Sequence, residues 1–152
     1  MQGSSDIGTL AGRIMLATIF VLSGLNKVMK PAMTMFYMAQ TGMGRLVYPG
    51  LIVSILVELG CGLLLMVGYR ARVAALIIFL WFIPVTIIFH VIPYYQAAAA
   101  GQPMVATQQQ INYMKNLSIM GGLLMIAGMG PGAISFDGRR TSTGSEATQR
   151  AA

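Results

Sequence analysis

Residues 51–69, LIVSILVELGCGLLLMVGY, decide the fold, because they form an apolar run of membrane-spanning length around a single carboxylate, Glu58. An α-helix rises about 1.5 Å per residue, so about 20 residues cross the hydrocarbon layer of a bilayer. A charged side chain at that depth costs about 2.5–3.5 kcal/mol on insertion scales. The rest of the fold must therefore give Glu58 a partner, a proton or a polar cavity.

The composition of the whole chain is that of an integral membrane protein. Of its 152 residues, 56% are hydrophobic and 9% are charged, whereas about 25% of the residues of a soluble domain are charged. The net charge of +6 does not indicate nucleic-acid binding, because the basic residues are scattered near span ends without interleaved aromatic residues. The single cysteine, Cys61, excludes an intramolecular disulfide and a cysteine-based zinc or iron–sulfur site.

The apolar runs predict an all-α fold, an integral membrane bundle of four transmembrane helices with a short interfacial segment between the first two. The predicted spans are residues 10–29, 51–69, 73–95 and 115–130. Residues 31–46 follow the helix-stopping pair Lys30-Pro31, and they are too short and too polar to span. We therefore expect them to lie in the membrane interface or to re-enter it.

The chain is predicted to hold one membrane domain, residues 10–140, between a polar lead of residues 1–9 and a disordered tail of residues 141–152. The Ala- and Gln-rich residues 96–112 are predicted to be the longest loop. The N-terminal run lacks a small-residue cleavage site, so it is predicted to be a retained helix. Four spans place both termini on one side, and the bias of Lys and Arg favours the cytoplasm for that side.

Polar side chains of the predicted spans gather towards the end of the bundle away from the termini. They are Asn26, Lys27, Glu58, His90, Lys115 and Asn116. A carboxylate and an imidazole can exchange protons, so Glu58 and His90 are candidate catalytic groups for proton transfer. The amine and amide groups are candidate ligand-binding groups. Together they suit a quinone, whose carbonyl oxygens need hydrogen-bond donors and whose reduction needs protons.

Blander interpretations stay open for the same residues. Glu58 paired with Lys27 or His90 could simply hold the helices together. Without a second histidine, haem ligation within one chain would need His90 and a methionine. The methionines of residues 29–43 could bind copper(I) or merely fill apolar gaps. We predict no metal site and no covalently bound cofactor.

Several short motifs follow one another in a definite order along residues 10–140. They are Arg13, Phe20-x-x-Ser23-Gly24-Leu25-x-Lys27, Glu58-Leu59-Gly60-x-Gly62, Gly68-x-Arg70, Phe89-His90, Lys115-Asn116-Leu117 and Gly132-x-x-Ser135-x-Asp137-x-Arg139. Together they resemble the DoxX family of small four-helix bacterial membrane proteins. The resemblance implies a shared intramembrane polar cluster and a link to a membrane subunit of an archaeal thiosulfate:quinone oxidoreductase.

We therefore expect a multi-pass protein of the bacterial inner membrane, surrounded by lipid, that is a small subunit or accessory of a quinone-linked oxidoreductase complex. A structural subunit without a site of its own is the first alternative. Small residues that let helices approach favour it, namely Gly24, Gly62, Gly121 and Gly122. A conduit for small solutes is the second alternative, and it would require oligomerisation.

Overall fold

The computed structural model describes residues 2–138, and every secondary-structure element within that range is a helix. The helices are α1 (Gln2–Met29), α2 (Pro31–Ala39), α3 (Gly44–Val67), α4 (Ala71–Ala99) and α5 (Pro103–Met129). The predicted all-α fold is confirmed. The predicted disordered tail, residues 141–152, lies outside the described residues.

Among the described residues, three helices are long and apolar enough to cross a membrane: Asp6–Met29 within α1, together with α3 and α4. They cover the first three predicted spans, except that α3 ends at Val67, two residues before the predicted end of the second span. Helix α5 has 27 residues and is about 40 Å long, but glutamines, asparagine and Lys115 make its first half polar. It packs along α4, and its assignment as a fourth span stays a prediction.

The prediction that residues 96–112 form the longest loop is wrong. Helix α4 continues through Pro93 to Ala99, and α5 already begins at Pro103, so only residues 100–102 are non-helical. Alanine and glutamine are good helix formers. Pro103 lies in the first turn of α5. Backbone N–H groups there have no intrahelical acceptor, so the missing N–H of proline costs no hydrogen bond. Both helices therefore extend beyond the predicted span ends at residues 95 and 115.

The connection between the first two spans is helical for much of its length. Helix α2 lies against α3 and α1, and it reaches α4 at Phe89. Its Met38 is buried in an apolar cluster with Val47, Leu51 and Phe89. The Tyr37 ring stacks on Phe89 with centroids 5.7 Å apart. Helix α3 begins at Gly44, seven residues before the predicted start of the second span.

One core cluster joins α1, α3, α4 and α5. Its fully buried members include Ala17, Phe20, Leu65, Ala75, Ile78 and Leu123. Two glycines bring α1 and α3 close together, because a Cβ atom at Gly24 would lie 2.7 Å from Leu59 Cβ and one at Gly62 would lie 3.0 Å from Phe20 Cβ. Gly121, by contrast, has no atom near the position of an added Cβ.

A group that we call the terminal clasp, made of Arg13, Gly68, Ser135 and Asp137, closes the end of the bundle where α1 begins. The Arg13 guanidinium donates to the carbonyl oxygens of Pro131 and Ile134. The Asp137 carboxylate accepts the backbone N–H groups of Arg70 and Ala71, at the start of α4, at 2.9 Å each. A carboxylate at a helix N-terminus satisfies unpaired donors and complements the helix dipole.

The clasp also holds the tight connection between α3 and α4. Gly68 has φ +74° and ends α3 in the left-handed conformation, and its carbonyl oxygen accepts the Asp137 N–H at 3.0 Å. The Tyr69 N–H returns to the Leu64 carbonyl oxygen at 3.0 Å. Because Arg13 contacts residues after α5, the described parts of both termini lie at the same end of the bundle.

Candidate functional site

Two turns of π-helix carry the two candidate proton-transfer residues. Glu58 lies in the turn Leu56–Cys61 of α3, and His90 lies in the turn Ile87–Val91 of α4. A π turn takes one more residue than an α turn, so it shifts the phase of all side chains that follow. In α4 the π turn comes three residues after Pro84, which lacks the N–H that a regular helix requires.

A buried ion pair gives Glu58 its partner. Lys27 Nζ contacts Glu58 Oε2 and also donates to Ser23 Oγ at 2.8 Å. Ser54 Oγ donates to Glu58 Oε1 at 3.0 Å. The Lys27 and Glu58 side chains are only 16% and 6% exposed. Two turns of α1 and two turns of α3 thus share one polar network, which offsets the cost of burying both charges.

This network opens onto a cavity of about 390 Å³, which we call the ligand cavity. Side chains of α1, α2, α3 and α4 line it, so α2 forms one of its walls. Its polar lining includes Ser23, Asn26, Lys27, Ser54, Glu58 and His90. The volume lies within the range of small-molecule sites, which is about 300–1,000 Å³.

His90 connects the ligand cavity to α5. Its Nδ1 atom lies 2.9 Å from Gln109 Oε1. One turn earlier on α4, Thr86 Oγ1 accepts a hydrogen bond of 3.1 Å from Asn116 Nδ2. Thr86 and His90 therefore share a face of α4, and that face bonds to α5.

The structure brings four of the six predicted site residues together at the ligand cavity, namely Asn26, Lys27, Glu58 and His90. Lys115 and Asn116 lie outside it. Lys115 is exposed, and Asn116 is occupied with Thr86 on the α4–α5 contact. Successive side chains of a helix point about 100° apart, so a residue at the same level of the bundle as the cavity can still point away from it.

Three cavity-facing residues of α4 were missed, although they leave a signal in the sequence. Trp81, Val85 and Phe89 recur every four residues and line the cavity together. The Trp81 indole Nε1 is buried and has no hydrogen-bond partner among the described residues. A buried donor without an acceptor is costly.

Within residues 2–138, no group of three or more His, Cys, Asp and Glu side chains is placed to hold a metal ion. The methionines of the first connection differ in burial. Met38 is buried against Phe89, with Met35 and Met43 packed beside it, whereas Met29 and Met33 are 76% and 72% exposed. Methionine is a flexible filler of irregular apolar gaps, and copper binding by this segment stays a hypothesis.

Comparison with known proteins gives consistent matches over most of the chain. A family profile described as DoxX matches residues 8–91. The inner membrane protein YqjF of Escherichia coli K12 is 32% identical over 137 residues, which are 90% of this chain and 95% of that protein. The inner membrane protein YphA of the same organism is 32% identical over 130 residues, 86% of this chain and 88% of that protein. No solved structure matches the chain.

Proposed function

The chain belongs to the DoxX family of inner membrane proteins, and from that premise we propose that it is a small accessory subunit of a quinone-linked membrane oxidoreductase. In this role the ligand cavity holds the quinone headgroup. The observation that carries the proposal is the meeting of a buried ion pair, Lys27–Glu58, with the imidazole of His90 around one cavity. Ionisable groups at membrane depth are expensive, and they mark ligand or proton sites by default.

The cavity offers each contact that a quinone headgroup needs. The rings of Tyr37, Trp81 and Phe89 line it and provide flat apolar surfaces for a planar ring. The Lys27 ammonium is a hydrogen-bond donor for carbonyl oxygens. Glu58 and His90 are groups that can hold or release protons. The electrons come from the redox subunit of the larger complex, to which this chain contributes binding and proton exchange.

A structural subunit is the second candidate, and a specific contact favours it. The Lys27–Glu58 pair crosses from α1 to α3 next to the close approach at Gly24 and Gly62. If the pair serves only to hold these helices, replacing Glu58 lowers stability and replacing His90 has little effect. Ligand binding therefore separates the two candidates.

The protein carries its own reporter for a binding experiment, because Trp81 is its only tryptophan and lines the cavity. We expect decylubiquinone to quench Trp81 fluorescence saturably when the full chain is reconstituted in nanodiscs. Glu58→Gln and His90→Gln should each weaken the binding of the reduced form, decylubiquinol, about tenfold, the equivalent of one lost hydrogen bond of about 1.4 kcal/mol.

The control for that experiment is Lys115→Gln, which removes a charge outside the cavity and should bind as the wild type does. Quenching that stays linear with quinone concentration, or that is the same in all variants, would contradict the proposal. The accessory role is tested separately by gentle purification from the native membrane and mass spectrometry. Recovery of a redox subunit with bound quinone is expected, and a chain that is always recovered alone would argue against that role.

A further inference from the structure

Gln109 determines which nitrogen of His90 carries hydrogen. The amide Oε1 of Gln109 can only accept a hydrogen bond, and it lies 2.9 Å from His90 Nδ1. The Nδ1 atom must therefore be the donor. A neutral imidazole has one N–H group only, so Nε2 keeps a free lone pair. Since His90 lines the ligand cavity and its Nδ1 is turned to α5, Nε2 is the ring nitrogen left for a ligand.

The setting of Gln109 favours this arrangement. Gln109 is half-buried on α5 and lines a second cavity of about 280 Å³. Polar groups of α2, the following turn and α4 line that cavity with it, namely Tyr37, Gln40, Thr41 and Gln96. These groups can satisfy the Gln109 amide N–H₂, directly or through water, while its Oε1 is turned to His90.

Charged and titratable groups line the cavity together with His90. Lys27 of α1 and Lys30, between α1 and α2, line it, α2 contributes Tyr37 and α3 contributes Glu58. Glu58 is already paired with Lys27, and on α5 the direct partner of His90 is the uncharged Gln109. Among the described residues that line the cavity, Glu58 is the only carboxylate.

We propose that Gln109 is a positioning residue that holds His90 as a hydrogen-bond acceptor towards the ligand cavity, and that the cavity thereby prefers a hydroquinone to the corresponding quinone. This inference rests on the proposed function and names the redox form of its ligand. A hydroquinone hydroxyl can donate to Nε2 and can accept from donors such as Lys27. A quinone carbonyl has lone pairs only, so it would face the Nε2 lone pair without a hydrogen.

The first test reads the tautomer directly and needs no ligand. His90 is the only histidine of the chain, so ring-labelled ¹⁵N-histidine gives one pair of imidazole signals in nanodiscs. At a pH of about 8.5, chosen to observe the neutral ring, we expect the Nδ1–H tautomer in the wild type. Gln109→Leu should convert it to the Nε2–H tautomer.

Two variants make that result specific. Gln109→Glu keeps an acceptor oxygen and should retain the Nδ1–H tautomer. Gln110→Leu removes an exposed neighbouring glutamine and should change nothing. An Nε2–H tautomer in the wild type, or no change in Gln109→Leu, would overturn the inference.

The second test measures the preference between redox forms. Under anaerobic conditions, decylubiquinol and decylubiquinone are titrated separately against the Trp81 fluorescence of the same proteins. We expect the wild type to bind the quinol about tenfold more tightly and Gln109→Leu to lose that preference. Equal affinities in the wild type would overturn the inference while leaving the proposed function standing. Failure of both ligands to bind would overturn the proposed function, and the tautomer would still decide the role of Gln109.

Discussion

Two polar regions in the described part of the protein lie towards opposite ends of the bundle, and they differ in what their side chains contact. In the terminal clasp, Arg13 and Asp137 bind backbone groups of segments that are distant in sequence. Around the ligand cavity, Lys27, Glu58 and His90 bind other side chains.

This difference separates a structural role from a ligand-binding one. A side chain that satisfies backbone groups cannot be removed without leaving buried carbonyl or N–H groups unpaired, at about 1–3 kcal/mol each. A network of side chains beside a cavity can exchange a partner for a ligand. Substitutions in the clasp should therefore reduce stability, whereas substitutions around the cavity should reduce binding by more than they reduce stability.

The largest expected effect is on the clasp, from Gly68→Ala. An added Cβ would lie 2.6 Å from Ser135 Cβ and 2.8 Å from Arg13 Nη1, at a backbone φ of +74°. The left-handed conformation and the overpacking together should lower the free energy of unfolding by about 3 kcal/mol. Thermal unfolding in detergent measures this loss, and quinone binding by the folded fraction should be unchanged.

Gly42→Ala is the matched control for that prediction. Gly42 also has a positive φ, +78°, but no atom lies within 4 Å of an added Cβ. Only the conformational part of the cost remains, about 1 kcal/mol. Equal losses in the two variants would show that the clasp is not tightly packed, and the comparison between the two ends would then fail.

A smaller effect is expected from the ion pair at the cavity. Lys27→Met leaves the Glu58 charge without its partner, and stability should fall by about 2 kcal/mol, because cavity water relieves part of the cost of a fully dry broken pair. The double variant Lys27→Met/Glu58→Leu removes both charges and should return close to wild-type stability while quinone binding is lost. Denaturant unfolding of the two single variants and of the double variant completes a double-mutant cycle. A double variant as unstable as Lys27→Met would show that the ion pair has a structural role and not a ligand-binding one.

The smallest effects are expected on the part of α5 that faces away from the cavity. Asn116→Ala loses one hydrogen bond to Thr86, worth about 1 kcal/mol. Lys115→Ala changes an exposed side chain and should alter stability by less than about 0.5 kcal/mol. Fluorescence titration should give wild-type quinone affinity in both variants. A loss of quinone affinity in Lys115→Ala would contradict this prediction and would show that Lys115 belongs to the binding site.

The amino-acid sequence by itself determined the features that depend on neighbours along the chain. Hydropathy predicted four apolar spans, and among the described residues three helices are long and apolar enough to cross a membrane. Ser23 and Lys27, like Ser54 and Glu58, stand four residues apart, a spacing that places each pair on one face of a helix. Gly68 is a residue type that commonly ends a helix in the left-handed conformation. These inferences hold because helical periodicity and turn conformation are local properties.

Only the tertiary structure decided how those faces meet. The partner of His90, Gln109, lay inside a predicted loop, so no helical phase could be assigned to it. The π turns shift the phase of α3 and α4 part-way along each helix, and α2 forms a wall of the ligand cavity through contacts with residues far away in the chain. A single period read along the sequence cannot report a change of phase or the choice of neighbouring helix, because both are set by packing between distant segments.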